Sequence, residues 1–323
     1  MLLKTLCTIL SLSPLACSIA LAQDEPVPDR AVVRRQIDTL IANAPNHRAT
    51  LGTLEAAMAL SISYGAPAWN ALDHEACSNF YVKTGESLCT AFAGADTATV
   101  PARQILDDLK SAVARVKLSN DADANAWTMR FVFDKTEVDV LAEADRSVRL
   151  LALGQECASR GQFQDSANAF ATATDVLHEL DGGPIDQIPA ACRYAPVALS
   201  DSLFAQKKYK ESAAAAEEGL HFVPELPDQQ MDLSKHFGDP ALYRVLADDL
   251  HEAAASHPDD PALQLLTGYH LYFTNQRNAA KAFFEKALKL EPKDAGAKRM
   301  LEQYDPSRPK PPVGNPPPAA VGA

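Results

Sequence analysis

Basic residues are the scarce class in this sequence: 30 Lys and Arg stand against 42 Asp and Glu, a formal charge of −12 over 323 residues. Without a basic field nothing neutralises a phosphate backbone or an anionic headgroup, which excludes nucleic acid and acidic membrane surfaces as partners. Glycine is also rare, with 14 residues where roughly 7% is usual, and the balance tips toward helix. Beyond the first twenty residues no apolar run is long enough to span a bilayer. Motifs that carry chemistry are missing too. There is no Gly-rich phosphate loop, no Gly-flanked nucleophilic Ser and no zinc-type His pair. His-Glu dipeptides occur at His74, His178 and His251, each without a second His four residues on. The expectation is a protein with no enzymatic activity, no metal and no cofactor.

The two ends differ from the body. Lys4, an apolar run over residues 6–16 and the small-residue exit Ala20-Leu21-Ala22 read as a secretory signal peptide over residues 1–22. The protein is thus expected to be exported to periplasm or medium. A lipid anchor at Cys17 ranks second, because Pro14 stands where that signal takes an aliphatic residue. At the other end, seven prolines between Pro306 and Pro318 predict an extended, disordered tail over 305–323.

A period of 34 runs through the C-terminal half. Pro224, Pro258 and Pro292 are 34 residues apart, and each follows a triplet at i, i+4, i+7: Ser212, Ala216, Gly219; Leu246, Leu250, Ala253; Ala280, Phe284, Ala287. Each triplet marks one face of a helix. A further copy at Ser166, Phe170, Ala173 is displaced by a turn-rich insertion, residues 181–192. Upstream of each triplet lies a small residue, Gly154, Ser200, Ser234 or Gly268, where two helices can approach closely. Asp239-Pro240 and Asp260-Pro261 each supply an N-cap oxygen followed by a proline at the first helical position.

This pattern resembles the tetratricopeptide repeat, a 34-residue helix-turn-helix unit that stacks into a solenoid. Residues 261–294 match best, through Gly268, Tyr272, Ala280, Phe284, Ala287, Leu288 and Pro292; residues 147–180, 193–226 and 227–260 match more loosely. The expected fold is all-α: a solenoid of these four units, a capping helix over 295–304, and an all-helical N-terminal region over 23–146. Within that region helices are expected at 30–44, 101–118 and 138–150. Gly65, Cys77, Tyr81 and Thr84 repeat the offsets of Gly268, Ala280, Phe284 and Ala287, suggesting a degenerate copy near 58–91 with Pro67 kinking its first helix. Stretches around Trp69, His74 and Trp127 also resemble uncharacterised secreted bacterial proteins, a likeness that implies no activity.

The repeat resemblance implies binding. The family holds peptides or partner helices on a concave surface lined by first helices, which here carry Gln155 and Ser159; Tyr194, Asp201 and Phe204; and Leu265, Tyr269, Tyr272 and Phe273. The aromatic residues there favour a protein or peptide partner with apolar anchors, and because the Lys and Asn of the carboxylate-gripping variant are absent, recognition of a C-terminal carboxylate is not expected. The capping helix, charged at Lys298, Arg299 and Glu302, implies a monomer. An alternative site is the polar cluster Asn70, Asp73, His74, Cys77 and Tyr81. His74 and Cys77 stand at i, i+3 and could present two ligands together, with Asp73 orienting His74. In the repeat reading Asp73 instead caps a helix and Cys77 fills a small core position. Trp127, Arg130 and Asp134 form either a second half of that pocket or an aromatic residue beside an i, i+4 ion pair. Four cysteines follow the signal, Cys77, Cys89, Cys157 and Cys192. Cys77 and Cys89 could be bridged only if a turn at Gly85 broke the helix between them.

Overall fold

A computed structural model describes residues 26–303 except 95, 184–187, 230 and 238. The expected signal peptide and Pro-rich tail, and the centre of the 181–192 insertion, lie outside the described residues. Among those described, the protein is all-α, with twelve α-helices and no strand. It divides into two compact units. The N-terminal unit runs through Ala49 and resumes over Leu54–Thr136; the C-terminal unit takes Thr50–Thr53 and everything from Glu137 on.

In the N-terminal unit, α1 (Arg30–Ala42) begins where Asp29 accepts bonds from the Ala31 and Val32 N–H groups, and it buries Val33 and Ile37 one turn apart. Helix α2 (Leu51–Asn70) runs on through Pro67. Helix α3 (His74–Ala91) is capped by Asp73. Helix α4 (Val100–Val116), within the expected 101–118 segment but for its first residue, buries Ile105, Leu109, Ala112 and Val116 on one face. Helix α5 (Ala122–Ser159) is 38 residues long, so the expected helix over 138–150 is only part of it. The expected boundary at 146 falls inside this helix, where no turn residue interrupts the chain.

The C-terminal unit continues with α6 (Phe163–Leu180), α7 (Ala195–Ala205), α8 (Tyr209–Phe222), α9 (Pro240–Ser256), α10 (Pro261–Phe273), α11 (Arg277–Leu290) and α12 (Ala295–Gln303). Pro196 sits in the first turn of α7, where no N–H is needed. Thr50 at the start of α2 donates to the Asp181 carbonyl at 2.5 Å, and Gly52 packs so closely on the Leu180 and Gly183 backbone that a Cβ has no room.

Four hairpins share one turn. Leu72, Gly161, Lys207 and Asn275 all have positive φ, from 58° to 72°. In each, the following N–H reaches back five residues: Asp73 to Ala68, Gln162 to Cys157, Lys208 to Leu203 and Gln276 to Leu271, at 2.9–3.0 Å. This is the Schellman closure of a helix C-terminus. Each left-handed residue stands seven positions after a small one, Gly65, Gly154, Ser200 or Gly268. Sixteen positions after each glycine comes the ring packed on it: Tyr81 on Gly65, Phe170 on Gly154 and Phe284 on Gly268. Where Ser200 replaces glycine, two hydroxyls lock the hairpin reciprocally. Ser200 donates to the Ser212 carbonyl at 2.9 Å, and Ser212 donates to the Ser200 carbonyl at 2.8 Å.

Residues 227–260 depart from the expected hairpin. Short 3-10 turns occupy Leu226–Asp228 and Leu233–Lys235, and the only α-helix is α9. Ser234 lies in a turn capped by Asp232 instead of in a first helix. The reason is local. Pro227 and Pro240 cannot donate within a helix interior, and Asp239 caps a fresh start at Pro240. The core of this unit gathers Phe204, Leu246, Leu250, Leu266, Tyr269, Phe273 and Phe284, and α12 adds Ala297 and Met300.

Candidate functional site

The densest surface chemistry lies at the turn between α2 and α3, beside the start of α5. Trp69, in the last turn of α2, stacks flat on the His74 ring, with centroids 4.0 Å apart and planes 4° from parallel. The Schellman turn at Leu72 makes this possible by bringing the first residue of α3 back over α2. His74 Nδ1 meets Asp123 Oδ1 at 2.7 Å, and Trp127 sets its ring edge-on to Trp69 at 5.9 Å. Asp121 caps α5 through the Asp123 and Ala124 N–H groups, both at 3.0 Å.

Beneath this surface runs a buried polar chain. Cys77 and Tyr81 are 1% and 3% exposed, and the Tyr81 hydroxyl lies within bonding reach of Cys77 and Arg130. Arg130 Nε pairs with Asp134 at 2.5 Å. Burial pushes both the Cys77 thiol and the Tyr81 phenol above their ordinary pKa. Burial works against the Arg130 charge, yet Asp134 and Tyr81 hold its pKa above the usual value. Thiol attack and metal ligation both need the thiolate, which burial disfavours here.

The structure thus brings Trp127 to the Asn70–Tyr81 cluster and keeps Cys77 with Tyr81, but separates Asn70, Asp73 and His74 from that buried pair. Asn70 is exposed at the end of α2. Asp73 spends its carboxylate on the Ala76 N–H. His74 turns outward to Asp123 while Cys77 turns inward, so the two present no shared ligand face. Among the described residues no group of three or more His, Cys, Asp or Glu is set to hold a metal, and no helix is long and apolar enough to cross a membrane. The Cys77–Cys89 bridge is also ruled out. Helix α3 is continuous through Gly85, which holds the two about 18 Å apart, and all four cysteines are free.

The expected groove residues fare differently. Gln155 and Ser159 are exposed, and Tyr194 and Asp201 are half-buried. Phe204, Leu265, Tyr269, Tyr272 and Phe273 are core residues, none more than 3% exposed, so they offer a partner no surface. Their neighbours explain this: Phe204 packs on His270 with centroids 3.9 Å apart, and the Tyr272 hydroxyl donates to the Pro227 carbonyl at 2.8 Å. The irregular segment after α8 covers what an open groove would expose. Around it Asp201 binds His236 at 2.9 Å and Tyr243 binds His270 at 3.1 Å.

Sequence reasoning missed two participants. Asp123 lies 49 residues from His74, with no spacing signal to join them. Phe131 stands one turn after Trp127 and is 70% exposed; Trp127 itself is 63% exposed and Leu72 is 83% exposed. Trp127 and Phe131, one turn apart on α5 and beside Trp69, form an exposed aromatic surface of the kind found at interaction sites. Comparison of the chain with protein-family models, with curated proteins and with solved structures finds no match.

Proposed function

We propose that this protein is an exported, non-enzymatic interaction scaffold of tetratricopeptide-like hairpins that binds a peptide or partner segment as a monomer, without a cofactor. The observation that carries the reading is the open pair Trp127 and Phe131 beside half-buried Trp69; among the described residues no other Trp, Phe or Tyr side chain is exposed. Aromatic anchors supply contact area at low entropic cost. The shared turn and ring-on-glycine packing of the four hairpins support the repeat resemblance. The signal-like residues 1–22 support export.

The test is capture from a cell-envelope extract with the wild-type chain and with Trp127→Ala/Phe131→Ala. Both residues are exposed, so the double variant should melt within a few degrees of wild type. Loss of a specific partner at unchanged melting temperature is the expected result. Retention of every captured partner by the variant would sink the reading.

A further inference from the structure

We infer that the segment docking on this patch is cationic and amphipathic, with apolar anchors along one side and Lys or Arg flanking them; the inference rests on the binding role proposed above. The patch has an apolar centre of exposed Trp127 and Phe131, one turn apart on α5, with half-buried Trp69 edge-on to Trp127. Its rim is acidic. Asp73 and Glu75 stand at the start of α3, and Asp121 and Asp123 at the start of α5, all four exposed. The His74–Asp123 bond holds these two helix starts together.

Nearby cations are already committed. Arg130 is paired with Asp134, and Lys135, one turn after Phe131, with Asp108. Asp73 and Asp121 accept capping bonds from the backbone. A basic segment would meet the exposed carboxylates of Glu75, Asp73 and Asp121 at these two helix starts, with Asp123 already bonded to His74, whereas an acidic one would meet like charge there. These charges act within about 8 Å at physiological salt, so the preference belongs to this rim more than to the overall charge.

Trp69 and Trp127 are the only two tryptophans in the chain, and their ring centroids are 5.9 Å apart. Intrinsic tryptophan emission therefore reports on this site alone. The full chain is titrated with three synthetic amphipathic peptides that share one leucine face and carry Lys, Gln or Glu on the other. The Lys peptide should bind about tenfold or more tighter than the Gln peptide and the Glu peptide weakest, with the spread collapsing as salt rises from about 0.05 M to about 0.5 M. Glu75→Gln/Asp123→Asn, which keeps an acceptor for His74, should erase most of the Lys advantage and leave the Gln peptide unchanged. Equal affinity for all three peptides, lost in Phe131→Ala, overturns the charge inference while apolar docking stands. No emission change with any peptide overturns both. A concentration-dependent emission shift of the chain alone, with doubled mass in light scattering, assigns the patch to a second copy and overturns the inference.

Discussion

Tyr269 separates a groove from a core more sharply than any other residue. Its side chain is 0% exposed, its ring packs edge-on to Phe273 at 4.9 Å, and its hydroxyl has no bonding partner among the described residues. Burial pushes that phenol far above its ordinary pKa. A buried hydroxyl without a partner costs about 1–3 kcal/mol. Tyr269→Phe, which removes the oxygen and keeps the ring, should therefore stabilise the protein by about 1–2 kcal/mol. That corresponds to a rise of roughly 2–8 °C in melting temperature for a unit of this size. Tyr269→Ala leaves a ring-sized cavity and should cost about 3–5 kcal/mol. Thermal and urea unfolding followed by circular dichroism measure both. A Phe variant destabilised by more than about 1 kcal/mol would mean the hydroxyl has a partner. An Ala variant within about 1 kcal/mol of wild type would mean the ring is not in the core, and the groove expectation would return.

Three further outcomes follow from the packing. His270 is buried and its pKa is pushed down to about 3 from 6.5 by burial; a folded state that refuses a proton the unfolded chain accepts loses stability as pH falls. The loss should run between about pH 6.5 and 3 and reach roughly 5 kcal/mol, and His270→Gln should flatten that acid limb in pH-dependent unfolding. His236, held up by Asp201 against burial, works the opposite way and gives its contribution below about pH 6.5. Gly268→Ala places a Cβ 2.7 Å from the Phe284 ring; overpacking of about 1–3 kcal/mol should exceed the helix-propensity gain of about 1 kcal/mol, and Phe284→Leu in the same chain should recover part of the loss. Cys77 and Cys192 are buried with raised thiol pKa values, and Cys89 is pushed up to about 11. Iodoacetamide at pH 8 should leave all three largely unmodified until denaturant is added, read by mass spectrometry of the peptides.

The hairpins were legible because their signals are local. A small residue and a ring sixteen positions later are visible in the sequence for Gly65 and Tyr81 as for Gly268 and Phe284, and the packing follows. The left-handed turn residue was not legible. Leu72 and Lys207 carry no preference for positive φ, and the surrounding helices impose it. Residues 227–239 kept the 34-residue period yet lost the first helix, because Pro227, Asp239 and Pro240 outvote it. For the groove, periodicity located the first-helix faces of α7 and α10 but could not tell which would be covered by a segment elsewhere in the chain. The surface around Trp69 was half legible. Its residue types stood out, while the exposure of Phe131 and the reach from His74 to Asp123 depend on tertiary placement.

The start of α2 ties the order of synthesis to the order of folding. Thr50 bonds to Asp181, 131 residues later, and Gly52 seats on Leu180 and Gly183. A ribosome adding about 5–20 residues per second needs roughly 7–26 s to cover that interval. Throughout it, Thr50–Thr53 are made but have no site to occupy, whereas Leu54–Thr136 become available in full. Any product that ends before α6 therefore leaves Thr50–Thr53 without their seat at Leu180, Asp181 and Gly183.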